Sequence, residues 1–572
     1  MNKLNIFLII LAFSAVVVGC SDKGEIPLCV QLDPLEKVLK EQIYFVENND
    51  TAAAAKGETV SFQFVVRSIY PIKNLKVEAG NLVCGNQQIP AGLKAFVGYV
   101  RQGRTTPYPS SDRLVPASDM FPDPLLEEET MDVSSMSNQP VWISYDVPKD
   151  SPAGIYSAEV VISGKVQGKT FRIRKKVAAK IFNVVLPEQT LYTTNWFVIN
   201  TSTGSNANYL KQGIILDNLS YMNNGEPVAV FSDLYWQLVK TLANTMRDYG
   251  QNVYMISPLK LCKYNISGTN YTFDFTNFDQ TVEFFMKEGN LKLIEGEHIA
   301  HRITDWSSLF GVDVPFADGA IRTLPFENDT AQLFMSQFFP ALYQHIKSKG
   351  WDKIYIQHIA DEPIRENVDS YIQIAETVKK MMPGIRIIEA NHSREVENTI
   401  DIWVPQLDFF HSDYKYYQER QAAGDEVWYY TCLAPQGNYA NWFIELPLIK
   451  TRILYWLSYR YDATGFLHAG YNKWWRFKNG EAAYIFEEGG NILPGGDTFI
   501  IYPAYRKVNI SIRLVAVRDG IRDYELLKLL EKKYPDQAKE IARTVVYNFD
   551  RYDCNVKSFR EKRIKILTLL SE

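Results

Sequence analysis

From about residue 25 to 188, apolar and polar positions alternate with a period of two. In ETVSFQFVVRSI the side chains of Val60, Phe62, Phe64 and Val66 share one face. PVWISYDVP does the same with Val141, Ile143, Tyr145 and Val147, and KTFRIRKKVAAKIF with Phe171, Ile173, Val177 and Ile181. Such alternation marks half-buried antiparallel strands. Turn-rich stretches such as CGNQQIP and VPKDSPAG separate them, so an antiparallel β-sandwich is expected over 25–188, with NVVLPEQT as the hinge out of it.

Beyond the hinge, short apolar runs alternate with longer stretches of helical period. The runs are LYTTNWFVI, QNVYMIS, LKLIEGEHIA, KIYIQHIADEP, GIRIIEANH, IDIWVPQLDFF, EVWYYTCLAP and GFLHAGYN. A helix is expected from Asp233, at an acidic capping position, to Tyr249 before Gly250, and another from Ser370 to Met382 before Pro-Gly. This count and spacing predict a (β/α)8 TIM-type barrel over 190–504, making the chain a multidomain protein. A doubly wound open sheet is the alternative, but neither GxGxxG nor GxxxxGK[ST] follows a strand. Residues 505–572 read as a helical extension packed on the barrel through Leu526, Leu527, Leu529 and Leu530.

The chain opens MNKLNIFLIILAFSAVVVGCSDKGE, a lysine followed by an apolar stretch too short to span a bilayer comfortably. Val17, Val18, Gly19 and Cys20 resemble the lipobox of bacterial lipoproteins. Residues 1–20 are therefore expected to be a signal peptide, with lipidation at Cys20 tethering the mature chain to the cell envelope, periplasmic or outer-membrane. The alternative is an ordinary secreted protein. The remaining five cysteines are scattered and form no zinc framework.

Over 572 residues the composition is 46% hydrophobic and 22% charged, as in globular proteins, with aromatics high at 13%. A formal net charge of -5 argues against a nucleic-acid partner, which demands a basic face.

Barrel chemistry sits at the C-terminal ends of the strands. That rule singles out Asp361 and Glu362, which end the fourth run, over Asp425 and Glu426, which precede the seventh. Pro363 biases Glu362 toward an extended or bulged backbone, from which both carboxylates can face the mouth. Under apolar walls and beside a charged neighbour, Glu362 is expected to hold a raised pKa as general acid while Asp361 stays ionised. Polar candidates nearby are Glu295, Glu297, His298 and His301, then Glu389, Asn391 and His392, then Gln406 and Asp413, with His298 the leading partner for a sugar hydroxyl. Aromatics at or beyond strand ends are Trp196, Tyr414, Trp428, Tyr430, Trp442, Tyr471, Trp474 and Trp475. Carboxylates among aromatics suit sugar rings, so a glycan is the expected ligand. EGEHIAHR lacks the HExxH spacing of a zinc peptidase and no GxSxG is present, so neither a metal nor a cofactor is expected.

The Asp-Glu-Pro run, VWYYTCLAPQGNYANWF, GFLHAGYNKWW and FIIYP followed by IRLVAVRDGIRDYELL resemble glycoside hydrolase family 123 across nearly the whole mature chain. The resemblance implies a β-sandwich on a (β/α)8 barrel. It implies a retaining exo-β-N-acetylgalactosaminidase that uses the substrate's own 2-acetamido oxygen as nucleophile. Asp361 would then orient the acetamido N–H and stabilise the oxazolinium, and Glu362 would serve as acid and then base. His298, Asn391, Gln406, Tyr414, Trp428, Tyr430, Trp442 and Tyr471 are the candidate substrate-binding residues.

The chemistry accounts for the adjacency of the two acids. Ordinary glycosidases place two carboxyls across the glycosidic bond, about 5 to 9.5 Å apart. Substrate-assisted enzymes need one acid at the glycosidic oxygen and one at the acetamido nitrogen, which hang from neighbouring ring carbons. Two alternatives stay open: an ordinary two-carboxylate glycosidase with Glu297 or Glu389 as nucleophile or base, and a non-catalytic glycan-binding lipoprotein.

Overall fold

The computed structural model describes residues 26–102, 106, 110–115, 120–199, 218–474, 485–486 and 494–572. The leader with Cys20 and the rim candidate Trp475 lie outside them.

Eight parallel strands form the barrel: β1 (Tyr192–Asn195), β2 (Val253–Ile256), β3 (Leu293–Gly296), β4 (Tyr355–Gln357), β5 (Arg386–Asn391), β6 (Ile402–Pro405), β7 (Glu426–Thr431) and β8 (Gly465–His468). Each falls in one of the eight apolar runs. They pair from β2 in sequence order through to β8, and β8 pairs with β1. The remaining seam is laced by Asn252, whose N–H donates to the Thr193 carbonyl at 3.2 Å and whose Oδ1 accepts from the Thr193 N–H at 2.9 Å.

Strand alternation sorts the side chains. Val253, Leu293, Ile356, Ile388, Ile402, Val404, Trp428 and Leu467 fill the barrel interior, while Tyr254, Ile294, Tyr355, Ile387, Trp403, Tyr429 and Phe466 face the helices. Two residues further along β3, the β4 end, the β6 end and β7, the same inward face carries Glu295, His358, Gln406 and Tyr430. An apolar plug is thus capped by a polar layer at the C-terminal mouth.

The expected helices are present at Asp233–Asp248 and Val368–Met381. Ser232 rather than Asp233 caps the first, accepting from the Tyr235 N–H, so the acid stands one position inside, where it favours the positive end of the helix dipole. After β3 the chain adds a three-stranded antiparallel sheet, Ala300–Arg302, Phe310–Pro315 and Ile321–Pro325, before the helix Asp329–Ser348.

The N-terminal unit has two facing sheets. One joins Leu28–Leu32, Thr59–Arg67, Asn138–Asp146, Leu93–Gln102 and Met120–Leu126; the other is built on Gly154–Val166 and Lys169–Val185. The alternating residues Val60, Phe62, Phe64, Val66, Val141, Ile143, Tyr145 and Val147 meet Phe171, Val177 and Ile181 in its core. Pairing is antiparallel except where Ala52–Lys56 runs parallel to Lys169–Val185, and where Ile485–Phe486, from beyond β8, adds parallel to Leu93–Gln102.

The C-terminal helices Ile512–Lys533, Pro535–Val545 and Val556–Ser571 bind barrel to sandwich. Arg513 donates through Nε and Nη2 to the two oxygens of Asp123 at 2.9 and 2.8 Å, with both side chains fully buried. Arg563 pairs with Asp523 at 2.6 Å and with Glu58 of the sandwich. Among the described residues no helix is long and apolar enough to cross a membrane.

Candidate active site

The segment that follows β4 is stitched in place by its neighbours. Ile359 and Ala360 donate their N–H groups to Glu389 Oε2 at 2.9 and 3.0 Å, and the Glu362 N–H donates to the Ala390 carbonyl at 3.1 Å. Arg302, from the inserted sheet, holds the other side: Nη1 donates to the Asp361 carbonyl at 2.9 Å and Nη2 to the Glu362 carbonyl at 2.8 Å.

Between these ties Glu362 adopts φ 48°, in the left-handed region, rather than the extended form expected before proline. A non-glycine residue there costs about 1–3 kcal/mol, so the conformation stands only because its surroundings impose it. The consequence is that two consecutive acids, both partly exposed, stand at the mouth together.

Three groups surround Glu362. Tyr430 donates its hydroxyl to Oε1, His392 Nε2 lies 2.7 Å from that hydroxyl and 3.3 Å from Glu362 Oε1, and Gln406 Oε1 is 3.3 Å from the same hydroxyl. Burial opposes ionisation of Glu362, but the hydrogen bond and charge of His392 and the Tyr430 hydroxyl outweigh it and hold the carboxyl below its ordinary value. Asp361 goes the other way. Burial, then the charges of Glu362 and Glu389, push it up to about 7 against the opposing pull of Arg302 and His358. The expectation of a raised Glu362 beside an ionised Asp361 is thus reversed here, because the donors cluster on Glu362. The pair as a whole therefore holds one proton up to about pH 7.

Beneath Asp361 lies a fully buried charge cluster. His358 directs Nε2 to Glu295 Oε1 at 2.7 Å and Nδ1 to Glu389 Oε1 at 2.9 Å. Burial works against its charge, but the two carboxylates raise it to about 10, so it is an imidazolium. Glu295 also accepts from Thr194 at 2.6 Å and from the Trp196 indole at 2.9 Å. Every oxygen of the two glutamates accepts at least one hydrogen bond, and both side chains are fully buried. Glu297 is partly exposed and takes the ammonium of Lys260 at 2.5 Å.

His298, His358 and Glu389 could in principle ligate a metal, their donor atoms lying within 4.8 Å of one another. Both nitrogens of His358 are committed to carboxylates as proton donors, which leaves two ligand atoms and a positive charge, a poor cation site.

Three of the eight substrate-binding candidates gather here: Tyr430, Gln406 and His298. The His298 ring lies 4.7 Å from that of His358 and 5.3 Å from that of Trp196, and its buried Nε2 has no hydrogen-bond partner. Burial and the cationic His358 hold His298 neutral.

The other five are not brought to the pair. Trp428 belongs to the apolar plug, bonded to Glu426 at 3.2 Å and stacked on Tyr192. Asn391 faces the helix layer and contacts Tyr417. Tyr414 packs among Phe410, Tyr461 and Phe549. Trp442 stacks on His468, and Tyr471 is buried behind β1, its N–H on the Trp196 carbonyl. Position near a strand end does not say which face a side chain takes, and these took the outer face or the plug. Sequence reasoning passed over two functional residues. His358 stood three places before Asp361 on the inward alternation with Ile356, a usable signal; Arg302 left none, since its reach depends on the fold of the inserted sheet.

The family model described as the glycoside hydrolase 123 catalytic domain matches residues 218–530, and that of the glycoside hydrolase 123 N-terminal domain matches 38–164. The structure is similar to that of a family 123 glycoside hydrolase from Clostridium perfringens, solved in a study of glycolipid glycan hydrolysis, with a TM-score of 0.71 and 15% identity over 96% of this chain and 97% of that one. An endo-β-1,4-mannanase from Thermotoga petrophila (TM-score 0.30, 9% identity, 51% of this chain and 74% of that one) and a GH10 xylanase from Thermobacillus composti (0.30, 11%, 50% and 94%) are too distant in shape to bear on function. No curated protein matches the sequence.

Proposed function

The chain belongs to glycoside hydrolase family 123, and from that premise we propose that it is a retaining exo-β-N-acetylgalactosaminidase working through the substrate's 2-acetamido group. The observation that carries the reading is the commitment of the other buried acids. Glu295 and Glu389 are locked to His358, Trp196, Thr194 and backbone amides, so neither serves as a nucleophile opposite Asp361 and Glu362. A glycosidase whose nucleophile is carried by the substrate needs none.

In the proposed course, the acetamido N–H donates to Asp361, favouring its charged form, and the shared proton then resides on Glu362. The acetamido oxygen attacks C1 while Glu362 protonates the departing glycosidic oxygen, and the C1–O bond breaks. Asp361 balances the positive charge of the oxazolinium ring. Water then attacks C1, giving its proton to Glu362, and the ring reopens with the anomeric configuration retained. Tyr430 and His392 keep Glu362 aimed throughout, and neutral His298 offers a partner for a sugar hydroxyl.

The preference for galacto over gluco substrates rests on the family resemblance. The lipobox at Cys20 supports a lipid-anchored enzyme of the cell envelope acting on terminal β-linked residues of surface glycans; failure of the wild-type chain to take up labelled fatty acid would refute the anchor. The mechanism is tested with aryl β-glycosides. Rapid cleavage of substrates carrying the 2-acetamido group and inhibition by a thiazoline mimic of the oxazolinium are expected. Equal rates on substrates lacking that group would instead favour the ordinary two-carboxylate glycosidase, with Glu297 the acid to examine.

A further inference from the structure

We propose that Trp306 is the platform for the leaving-group sugar, the ring on the aglycone side of the scissile bond; this rests on the glycosidase reading above. Trp306 is the one tryptophan among the described residues with an exposed side chain, at 51% of its surface. Ile303 and Leu309 on the same tip are exposed too, so the indole belongs to an apolar patch, and such a patch marks a binding site. It is also held in one place. One face stacks on the Arg302 guanidinium at 3.7 Å, and that guanidinium donates to the carbonyls of Asp361 and Glu362. The platform and the acids are thus joined through a single rigid planar group.

The tip that carries Trp306 is built to be stiff. Ser308 Oγ accepts from the Thr304 and Asp305 N–H groups at 3.0 and 3.2 Å, Asp305 Oδ1 accepts from the Ser307 N–H at 2.9 Å, and the Ile303 N–H donates to the Leu309 carbonyl at 3.1 Å. The Trp306 carbonyl accepts from Arg302 Nε at 2.8 Å and from Asn367 Nδ2 at 3.3 Å. Asn367 in turn accepts from the Ile364 N–H at 2.9 Å, two residues past Glu362. The tip is latched to the loop that bears the general acid.

A preorganised aromatic face costs little ordering on binding and offers an apolar surface to the C–H face of a pyranose. The polar layer of the barrel interior lies beneath the acids, so the sugar that loses its bond sits inward and the departing ring outward, on the side of the inserted sheet. Glu362, as general acid, belongs between the two.

The test compares Trp306→Ala, Trp306→Phe and wild type on two substrates, a β-N-acetylgalactosaminyl disaccharide and the corresponding glycosyl fluoride, whose leaving group has no ring. For Trp306→Ala the ratio of kcat/KM on the disaccharide to that on the fluoride is expected to fall about tenfold, mainly through KM, the size expected for one aromatic contact. Trp306→Phe should restore most of it. An unchanged ratio, with both substrates falling together, would mean that Trp306 only braces Arg302 and would overturn the platform while leaving the glycosidase reading intact. Failure of wild type to cleave either substrate would overturn the glycosidase reading and the platform with it.

Discussion

Replacing Arg302 by methionine keeps most of the side-chain bulk and removes the fork that holds two consecutive carbonyls. Three charge-assisted bonds are lost, two of them, at 2.9 and 2.8 Å, to these carbonyls and the third to the Trp306 carbonyl; each of the two is worth about 1.5–3 kcal/mol, and water on this half-open wall recovers part of it. A net loss of about 2–3 kcal/mol is comparable to the roughly 1–3 kcal/mol of strain at Glu362, so the left-handed backbone no longer prevails and the acid swings from its station. At about 1.4 kcal/mol per tenfold, kcat should drop about 10²-fold. A second readout separates positioning from general damage. The Arg302 charge lowers the pKa of Asp361, so its removal should carry the alkaline limb of kcat/KM, governed by loss of the shared proton near pH 7, to higher pH. Steady-state kinetics on an aryl β-N-acetylgalactosaminide from pH 4 to 9, with circular dichroism to verify folding, decides the matter. A folded variant with kcat within about threefold of wild type and an unmoved alkaline limb would refute the reasoning.

Glu362→Gln removes the proton donor of the proposed mechanism and should lose about 10²- to 10⁴-fold on substrates with poor leaving groups but far less on activated aryl glycosides, as a plot of rate against leaving-group pKa will register. Asp361→Asn should abolish most turnover yet stabilise the fold. The folded pKa of about 7 lies above the ordinary value of 3.8, so the wild-type carboxyl contributes most stability below pH 4 and loses it as pH rises through 7; the gain in melting temperature should be larger at pH 8 than at pH 5. Arg513→Met strands the buried Asp123 carboxylate with Tyr502 as its remaining side-chain partner, which should cost about 3–5 kcal/mol in denaturant titration, and adding Asp123→Leu should recover much of it.

Much of the fold is written locally. Period-two alternation named the inner face of the sandwich residue by residue, because a strand's side chains alternate whatever it pairs with. The eight barrel strands were likewise visible as apolar runs punctuated by helices, and the rule that barrel chemistry gathers at strand ends separated Asp361 and Glu362 from the acids of the opposite rim. Strand alternation could also have carried the reading one layer further, since Glu295, His358, Gln406 and Tyr430 each stand two residues beyond an inward apolar side chain. It could have placed Asn391 outward as well, four residues past the outward Ile387 within β5, but not Trp442, Tyr414 and Tyr471, which lie beyond the ends of the barrel strands.

Tertiary structure alone decided the electrostatics of the pair. Which of two adjacent carboxyls keeps the proton depends on donors from β5 and β7 converging on Glu362 while Glu389 and burial act on Asp361, groups up to about seventy residues distant in sequence whose distances no local pattern encodes. The same holds for Arg302, sixty residues before Glu362, whose grip on the backbone permits a conformation that the following proline disfavours. Short-range sterics and hydrophobic periodicity are properties of neighbouring residues and survive in the sequence. Electrostatic fields and backbone strain are sums over whatever the fold brings within a few ångströms.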